Sequence, residues 1–327
     1  MWNLLQRINR NLILAVPAAM LIGFGFGLLA GKDMLTGLKN LIVPLTFLMV
    51  YPMMVALNIN HLKEGINLRL QLVTQLLNFA VIPFLAYGLG LYFFPDRPYM
   101  ALGLLLAALL PTSGMTISWT GFAKGNLGAA INMTVIGLTA GSLATPFYVE
   151  WLMGQTVNVN LALVMKQILF IVFLPMLLGF VTRQIFLKKY GPAEFKKTWA
   201  PRFPSLSTVG VLGIVGVAMA LKARTIAAHP AIIGYIFIPL ALIYLINFSL
   251  STLVGKIFFK RGDGIALVYG TVMRNLSIAL AIAITTFGEK GADTALVIAA
   301  SYIIQVQAAA WYVRLTDRIF GPAGEEV

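Results

Sequence analysis

Apolar runs alternate with short polar breaks along almost the whole chain. The runs are about 18 to 26 residues long, enough for each to cross a bilayer as a helix. The pattern predicts ten, at about 11–30, 40–58, 70–94, 99–123, 126–152, 161–187, 205–222, 231–257, 264–288 and 294–315. The first is long, lacks a small-residue cleavage site and is followed by nine more, so it reads as a retained helix and not a signal peptide. The longest polar break, about 188–204, reads as an interfacial linker. It divides the chain into 1–187 (a first repeat of five helices plus the sixth) and 205–327 (the remainder of the second repeat).

Composition sharpens this picture. Of 327 residues, 59% are hydrophobic and 11% charged, against about 25% charged in soluble domains, which excludes a water-soluble fold. Cysteine is absent, so disulfides, thiolate metal sites and cysteine nucleophiles are excluded together. The net charge of +13 would suggest a nucleic-acid partner in a soluble protein, but here it reports orientation. With the N-terminus inside, sixteen basic residues fall on inside segments and seven on outside ends, leaving Arg274. That bias places both termini in the cytoplasm, and the expected location is a prokaryotic inner membrane. Five of the sixteen lie in 188–204, which reads as a solvated basic face held near anionic lipid.

An odd number of spans per half gives the halves opposite topology, as in inverted-repeat transporters. The halves echo each other. The third span carries Asn78 and the eighth Asn247, each a lone amide in an apolar run. The next span in each half is interrupted, at Pro111-Thr112-Ser113-Gly114-Met115-Thr116 and at Gly270 through Ser277. Pro111 and Gly270 are the expected break points, because proline removes a backbone donor and glycine admits irregular backbone. Corresponding interrupted helices in two halves point to a substrate site.

Arg274 lies near the centre of the ninth run, where insertion scales put the cost of a charge at about 2.5–3.5 kcal/mol. No carboxylate lies deep inside a span to neutralise it; the carboxylates fall in the polar breaks, at segment ends or in the tail. Two readings stay open: an arginine satisfied by carbonyls freed at the break, or a fixed positive charge that receives an anion through paired hydrogen bonds. Thr112, Ser113, Gly114, Thr116, Asn275 and Ser277 would add neutral groups to the same cavity. Asn132, Thr134, Gln305 and Gln307 could face that centre or bond between helices. His61 and His229 fall in loops, and no metal-ligand cluster, phosphate-cradling loop or paired carboxylate is present. No cofactor is expected.

These residues resemble the bile acid:sodium symporter superfamily, which includes the arsenite efflux permeases. The resemblance covers about residues 10–315 and rests on Asn78 to Pro83, Pro111 through Trp119 (PTSGMTISW) with Lys124-Gly125-Asn126, Thr145-Pro146, and Met273 to Ala281 (MRNLSIALA). It implies an all-α membrane protein in which discontinuous helices four and nine cross. Spans 3–5 and 8–10 would form a core, spans 1, 2, 6 and 7 a panel, and alternating access would come from motion between the two. The chain departs from both branches. The arsenite carriers' cysteine position is Thr112, and their ninth-span glutamate is Ser277. Relative to the bile acid branch, the acidic ninth-span position is Gly270, the following glutamine is Arg274, the Ser-Asn pair is Thr116-Ile117, and a fifth-span serine is Ala130, while Thr134 is retained. Sodium coupling is possible, with Thr116 and Thr134 as weak ligands. The expected function is secondary transport of a small organic or inorganic anion. The alternatives are metalloid efflux, disfavoured by the missing thiolate, a passive channel, and a membrane-embedded transferase, disfavoured by the scattered carboxylates.

Overall fold

In hydrocarbon, each backbone N–H and C=O must be satisfied within the protein, which leaves helices as the economical way to cross. The computed structural model describes residues 2–56, 67–157, 160–228, 230–288 and 290–322. His61, Lys63, Glu64, His229, Glu289, Glu325 and Glu326 lie outside the described residues. Among those described, the chain is helical, apart from one isolated antiparallel bridge between Pro111 and Arg274.

The helices are α1 (Trp2–Arg10), α2 (Leu12–Leu29), α3 (Lys32–Lys39), α4 (Ile42–Ala56), α5 (Leu68–Leu76), α6 (Ile82–Phe93), α7 (Pro98–Leu109), α8 (Gly114–Phe122) and α9 (Leu127–Met153). They continue as α10 (Leu161–Ile168), α11 (Leu174–Glu194), α12 (Arg202–Ala228), α13 (Ala231–Phe258), α14 (Arg261–Val272), α15 (Leu276–Phe287) and α16 (Gly291–Phe320). Single π-helical turns at Leu77–Val81 and Leu169–Phe173 join α5 to α6 and α10 to α11. Seven continuous helical stretches among the described residues are long and apolar enough to span a bilayer. Counting α1 and α2, a pair bent by 96°, as one crossing gives eight.

The expected linker at 188–204 is mostly helical. α11 runs to Glu194 through a kink at Gly191 (φ 79°), a π turn follows at Phe195–Trp199, and α12 starts at Arg202. Glycine admits the left-handed residue and Pro192 restarts the helix with φ preset. Lysine, glutamate and alanine are good helix formers, so a stretch of this polar composition can be helical.

The chain forms two compact units. One comprises Met1–Leu57, Asn160–Gly234 and Ser277–Ile303. Its helices approach closely through small residues. A Cβ at Gly23 would lie 2.3 Å from the Gly216 carbonyl oxygen, and one at Gly27 2.2 Å from that of Ala220, so α2 packs on α12 through a Gly-x-x-x-Gly face. On a neighbouring face of α12, Gly210 meets the Met49 backbone and the Ser207 hydroxyl donates to the Met49 carbonyl. Lys222 and Asp293 pair at 2.8 Å.

The second unit comprises Asn58–Val159, Tyr235–Leu276 and Ile304–Val327. From Met100 to Leu109, α7 is buried throughout, as is α14 from Gly264 to Val272. Asn67 and Asn126 cap α5 and α9 by accepting from the Leu70 and Ala129 amides. Both then donate to one carboxylate, Asp263, at 2.9 and 2.7 Å. Beside it, Arg261 holds the last carbonyls around α8 (Lys124 at 2.9 Å, Ala123 at 3.4 Å), the Gly321 carbonyl at 2.8 Å and the Asp317 carboxylate. Cations near helix C-termini also complement the helix dipole.

The α2–α12 contact yields a test. Gly23→Ala and Gly27→Ala should each destabilise the protein by about 1–3 kcal/mol through overpacking, read as a lower unfolding temperature in detergent. Gly25→Ala should leave that temperature unchanged, because nothing lies within 4 Å of its Cβ position.

Candidate functional site

A helix broken at membrane depth orphans backbone groups at both new ends, and the second unit contains two such breaks. α7 stops at Leu109 before α8 begins at Gly114, and α14 stops at Val272 before Leu276. The two breaks satisfy each other. The Thr112 N–H donates to the Met273 carbonyl at 2.7 Å, and the Asn275 N–H to the Leu110 carbonyl at 2.7 Å, flanking the Pro111–Arg274 bridge. Proline occupies a place where no N–H is required.

Side-chain amides complete the pairing. Asn78 Nδ2 donates to the Gly270 carbonyl at 3.1 Å, and Asn247 Nδ2 to the Thr271 carbonyl at 3.0 Å. Both caps serve the last turn of α14. The Ser251 hydroxyl lies within hydrogen-bond distance of Asn247 Oδ1 and Thr271 Oγ1. Gln305 acts as a strand surrogate: its Oε1 accepts from the Arg274 N–H at 2.8 Å while its Nε2 donates to the Arg274 carbonyl at 3.2 Å. The Tyr244 hydroxyl donates to the same Oε1 at 2.9 Å.

Gly270 is not at the break. The helix continues past it to Val272, and the irregular residues are Met273 to Asn275. Its role is contact, since a Cβ there would lie 2.6 Å from Met133 Sδ. Pro111 does lie in the first break, followed by Thr112 at φ 65°. A β-branched residue in the left-handed region is strained and needs surroundings that enforce it. Thr112 Oγ1 bonds its neighbour's carbonyl (Pro111, 2.6 Å) and that of Thr134 (3.2 Å). Gly137 and Gly141 of α9 leave room for Thr112 and Pro111, with Cβ positions only 2.8 and 2.7 Å from their side chains.

The hydroxyl candidates are engaged with backbone. Ser113 caps α8, accepting from the Met115 N–H at 3.2 Å, and Thr116 Oγ1 accepts from the Ser113 N–H at 3.1 Å, the reciprocal arrangement of a capping box. Gly114 is the exposed first residue of that helix. Thr134 Oγ1 donates to the Ala130 carbonyl at 2.7 Å. Ser277 pairs with the Tyr302 hydroxyl at 2.6 Å within the other unit. Asn132 is buried, with no hydrogen-bond partner for its Oδ1 among the described residues. Gln307 is exposed: two positions from Gln305, it points about 200° around the helix and does not join the group expected of it. Among the described residues, no cluster of three or more His, Asp or Glu side chains could hold a metal ion.

Arg274 stands apart. Its residue is 3% exposed, and neither Nη1 nor Nη2 has a hydrogen-bond partner among the described residues. It lines a narrow cavity with Ile82, Leu104, Ala107, Ala108, Leu240, Ile243, Tyr244 and Asn247, with space for about one water molecule. The walls are mostly apolar and carry no carboxylate. A buried cation without a partner is strongly unfavourable, so the geometry presents two guanidinium donors in want of acceptors. Tyr244 was missed in the sequence reading, although its spacing to Asn247 and Ser251, three and then four residues, puts all three on one face of α13.

The profile of the Sodium Bile acid symporter family matches residues 43–229. The arsenical-resistance protein Acr3 of Corynebacterium glutamicum is 23% identical over 303 residues, 85% of this chain and 81% of its own. The uncharacterized protein YbaS of Bacillus subtilis is 25% identical over 232 residues, 70% of this chain and 74% of its own. The uncharacterized sodium-dependent transporter YocS of the same organism is 22% identical over 266 residues, covering 80% and 78%.

The amide caps can be tested without a substrate. Asn78→Leu and Asn247→Leu should each lower stability by about 1–2 kcal/mol by leaving an α14 carbonyl unpaired. Gln307→Leu should be neutral in the same thermal unfolding assay.

Proposed function

The chain belongs to the Sodium Bile acid symporter family and is a multi-pass membrane transporter; from that membership we propose that it is a secondary active carrier of a small organic or inorganic anion. The observation that carries this reading is the Arg274 guanidinium, buried, without hydrogen-bond partners for Nη1 and Nη2 among the described residues, and facing a cavity whose lining has no carboxylate. Guanidinium geometry matches a carboxylate or oxyanion through two parallel hydrogen bonds. The Asn275 amide and the polar groups of the Pro111–Thr116 break, which bond backbone in this structure, would join the contacts on exchanging those partners for the anion.

Among the described residues, counting each interrupted helix pair, and the bent α1–α2 pair, as one crossing gives ten. We read these as two inverted five-helix halves with both termini in the cytoplasm. Access to the site would alternate between the two faces of the membrane. An empty site leaves the cation of Arg274 in low dielectric, whereas a bound anion neutralises it. The loaded carrier should therefore reorient more readily than the empty one, which favours exchange over net flux.

Wild-type protein should be stabilised thermally by a subset of carboxylates, sulfonates or oxyanions, because a ligand of the folded state shifts unfolding by mass action. Running that panel with and without sodium tests sodium coupling. Arg274→Ala should abolish both the stabilisation and counterflow in proteoliposomes, and Arg274→Lys should retain part of each. Unchanged binding or counterflow in Arg274→Ala would sink the assignment.

A second reading, metalloid efflux, is favoured by the similarity to two arsenical-resistance proteins. This chain has no cysteine to supply a soft ligand, so its expression should give no gain in arsenite tolerance.

A further inference from the structure

The end of α11, the π turn at Phe195–Trp199 and α1 build a basic and aromatic face within the first unit. Between residues 183 and 203 lie Arg183, Lys188, Lys189, Lys196, Lys197 and Arg202 against one carboxylate, Glu194. The two arginines are committed to the scaffold. Arg183 stacks over Phe195 at 4.9 Å and reaches the Ala56 carbonyl at 3.5 Å. Arg202 is held between Trp199 and Trp2, at 4.8 and 5.4 Å, clasping α1 to the π turn. Beneath them Phe186 contacts Tyr190, Phe195, Trp199 and Phe203, with ring centres 5.0 to 6.3 Å apart.

All four lysines are exposed. They come in two pairs, one on each side of the left-handed kink at Gly191. An orientation signal needs only the charges, in any conformation. Here the rings, the kink and the cation–π clasp order the backbone that carries them.

The adjoining surface narrows the choice of anion. Leu177, Val181 and Ile185 of α11 are exposed at four-residue spacing, so they form one apolar stripe. The stripe runs along the helix to Lys188 and Lys189. An apolar stripe that leads to exposed lysines, with the aromatic cluster beside them, matches acyl chains followed by a headgroup phosphate. The 96° bend between α1 and α2 would lay α1 along the same interface if α2 crosses the membrane. We propose that this face is a binding site for the headgroup of an anionic phospholipid, with the four lysines contacting phosphate and the α11 stripe contacting the acyl chains.

The test uses the full chain in a neutral detergent, with thermal unfolding measured against added phosphatidylglycerol, phosphatidylcholine or inorganic phosphate. Phosphatidylglycerol should raise the unfolding temperature in a saturable, salt-sensitive manner, and the other two should not. Exchanging all four lysines (Lys188→Gln, Lys189→Gln, Lys196→Gln, Lys197→Gln) should raise the phosphatidylglycerol concentration for half-maximal effect by about five-fold per lysine removed. The control pair Lys256→Gln and Lys260→Gln should respond like wild type. If the fourfold variant fails to fold, the pair Lys188→Gln and Lys189→Gln takes its place, read by native mass spectrometry of retained lipid. Equal stabilisation by phosphatidylcholine, an equal response to inorganic phosphate, or an unshifted lipid dependence in the lysine variants would each overturn the proposal.

Discussion

The interior of a membrane offers a backbone amide no water, and two helices of this protein are nevertheless interrupted within apolar runs. That combination obliges each orphaned N–H and C=O to find a partner in the chain, and much of the second unit answers the obligation. The two breaks exchange hydrogen bonds across Pro111 and Arg274. Asn78 and Asn247 cap the end of α14, and Gln305 supplies the edge that a neighbouring strand would supply in a sheet. Gly137, Gly141 and Gly270 then matter because they let α9 come close enough to hold the crossing. With the backbone provided for in this way, Nη1 and Nη2 of Arg274 remain without hydrogen-bond partners among the described residues.

This accounting alters the sense of the polar residues inside the apolar runs. Most buried hydroxyls and amides in the second unit serve backbone atoms: Thr112, Ser113, Thr116 and Thr134 around the first break, and Asn78, Asn247 and Gln305 around the second. Such groups set the shape of a site. They contribute less to its charge, since Arg274 is the one charged residue among the mostly apolar residues that line the cavity.

The apolar runs were legible in the sequence because hydrocarbon restricts a crossing segment to a helix, so run length alone carries the information. Arg274 was legible for a related reason, as the one charge deep in a span. The remainder depended on pairing, which leaves little trace in composition. Gln305 and Gln307 look alike in a sequence, yet 200° of helix separates a backbone surrogate from an exposed amide. Gly270 looked like a break and is a point of close packing, whereas Thr112, with no compositional warning, adopts the left-handed backbone. The stretch 188–204 reads as a polar linker in the sequence, and its helical content, with the kink at Gly191, leaves no trace in composition.

The bridge between Pro111 and Arg274 also bears on how the protein is made. Chains emerge N-terminus first, so the first break enters the bilayer long before residues 273–275 have been synthesised. Until then the amide of Thr112 and the carbonyl of Leu110 lack their eventual partners, and Asn67 and Asn126 likewise wait for Asp263. The second unit therefore closes late, and its early helices must be held by other means, by water, lipid headgroups or the insertion machinery, until its distant half arrives.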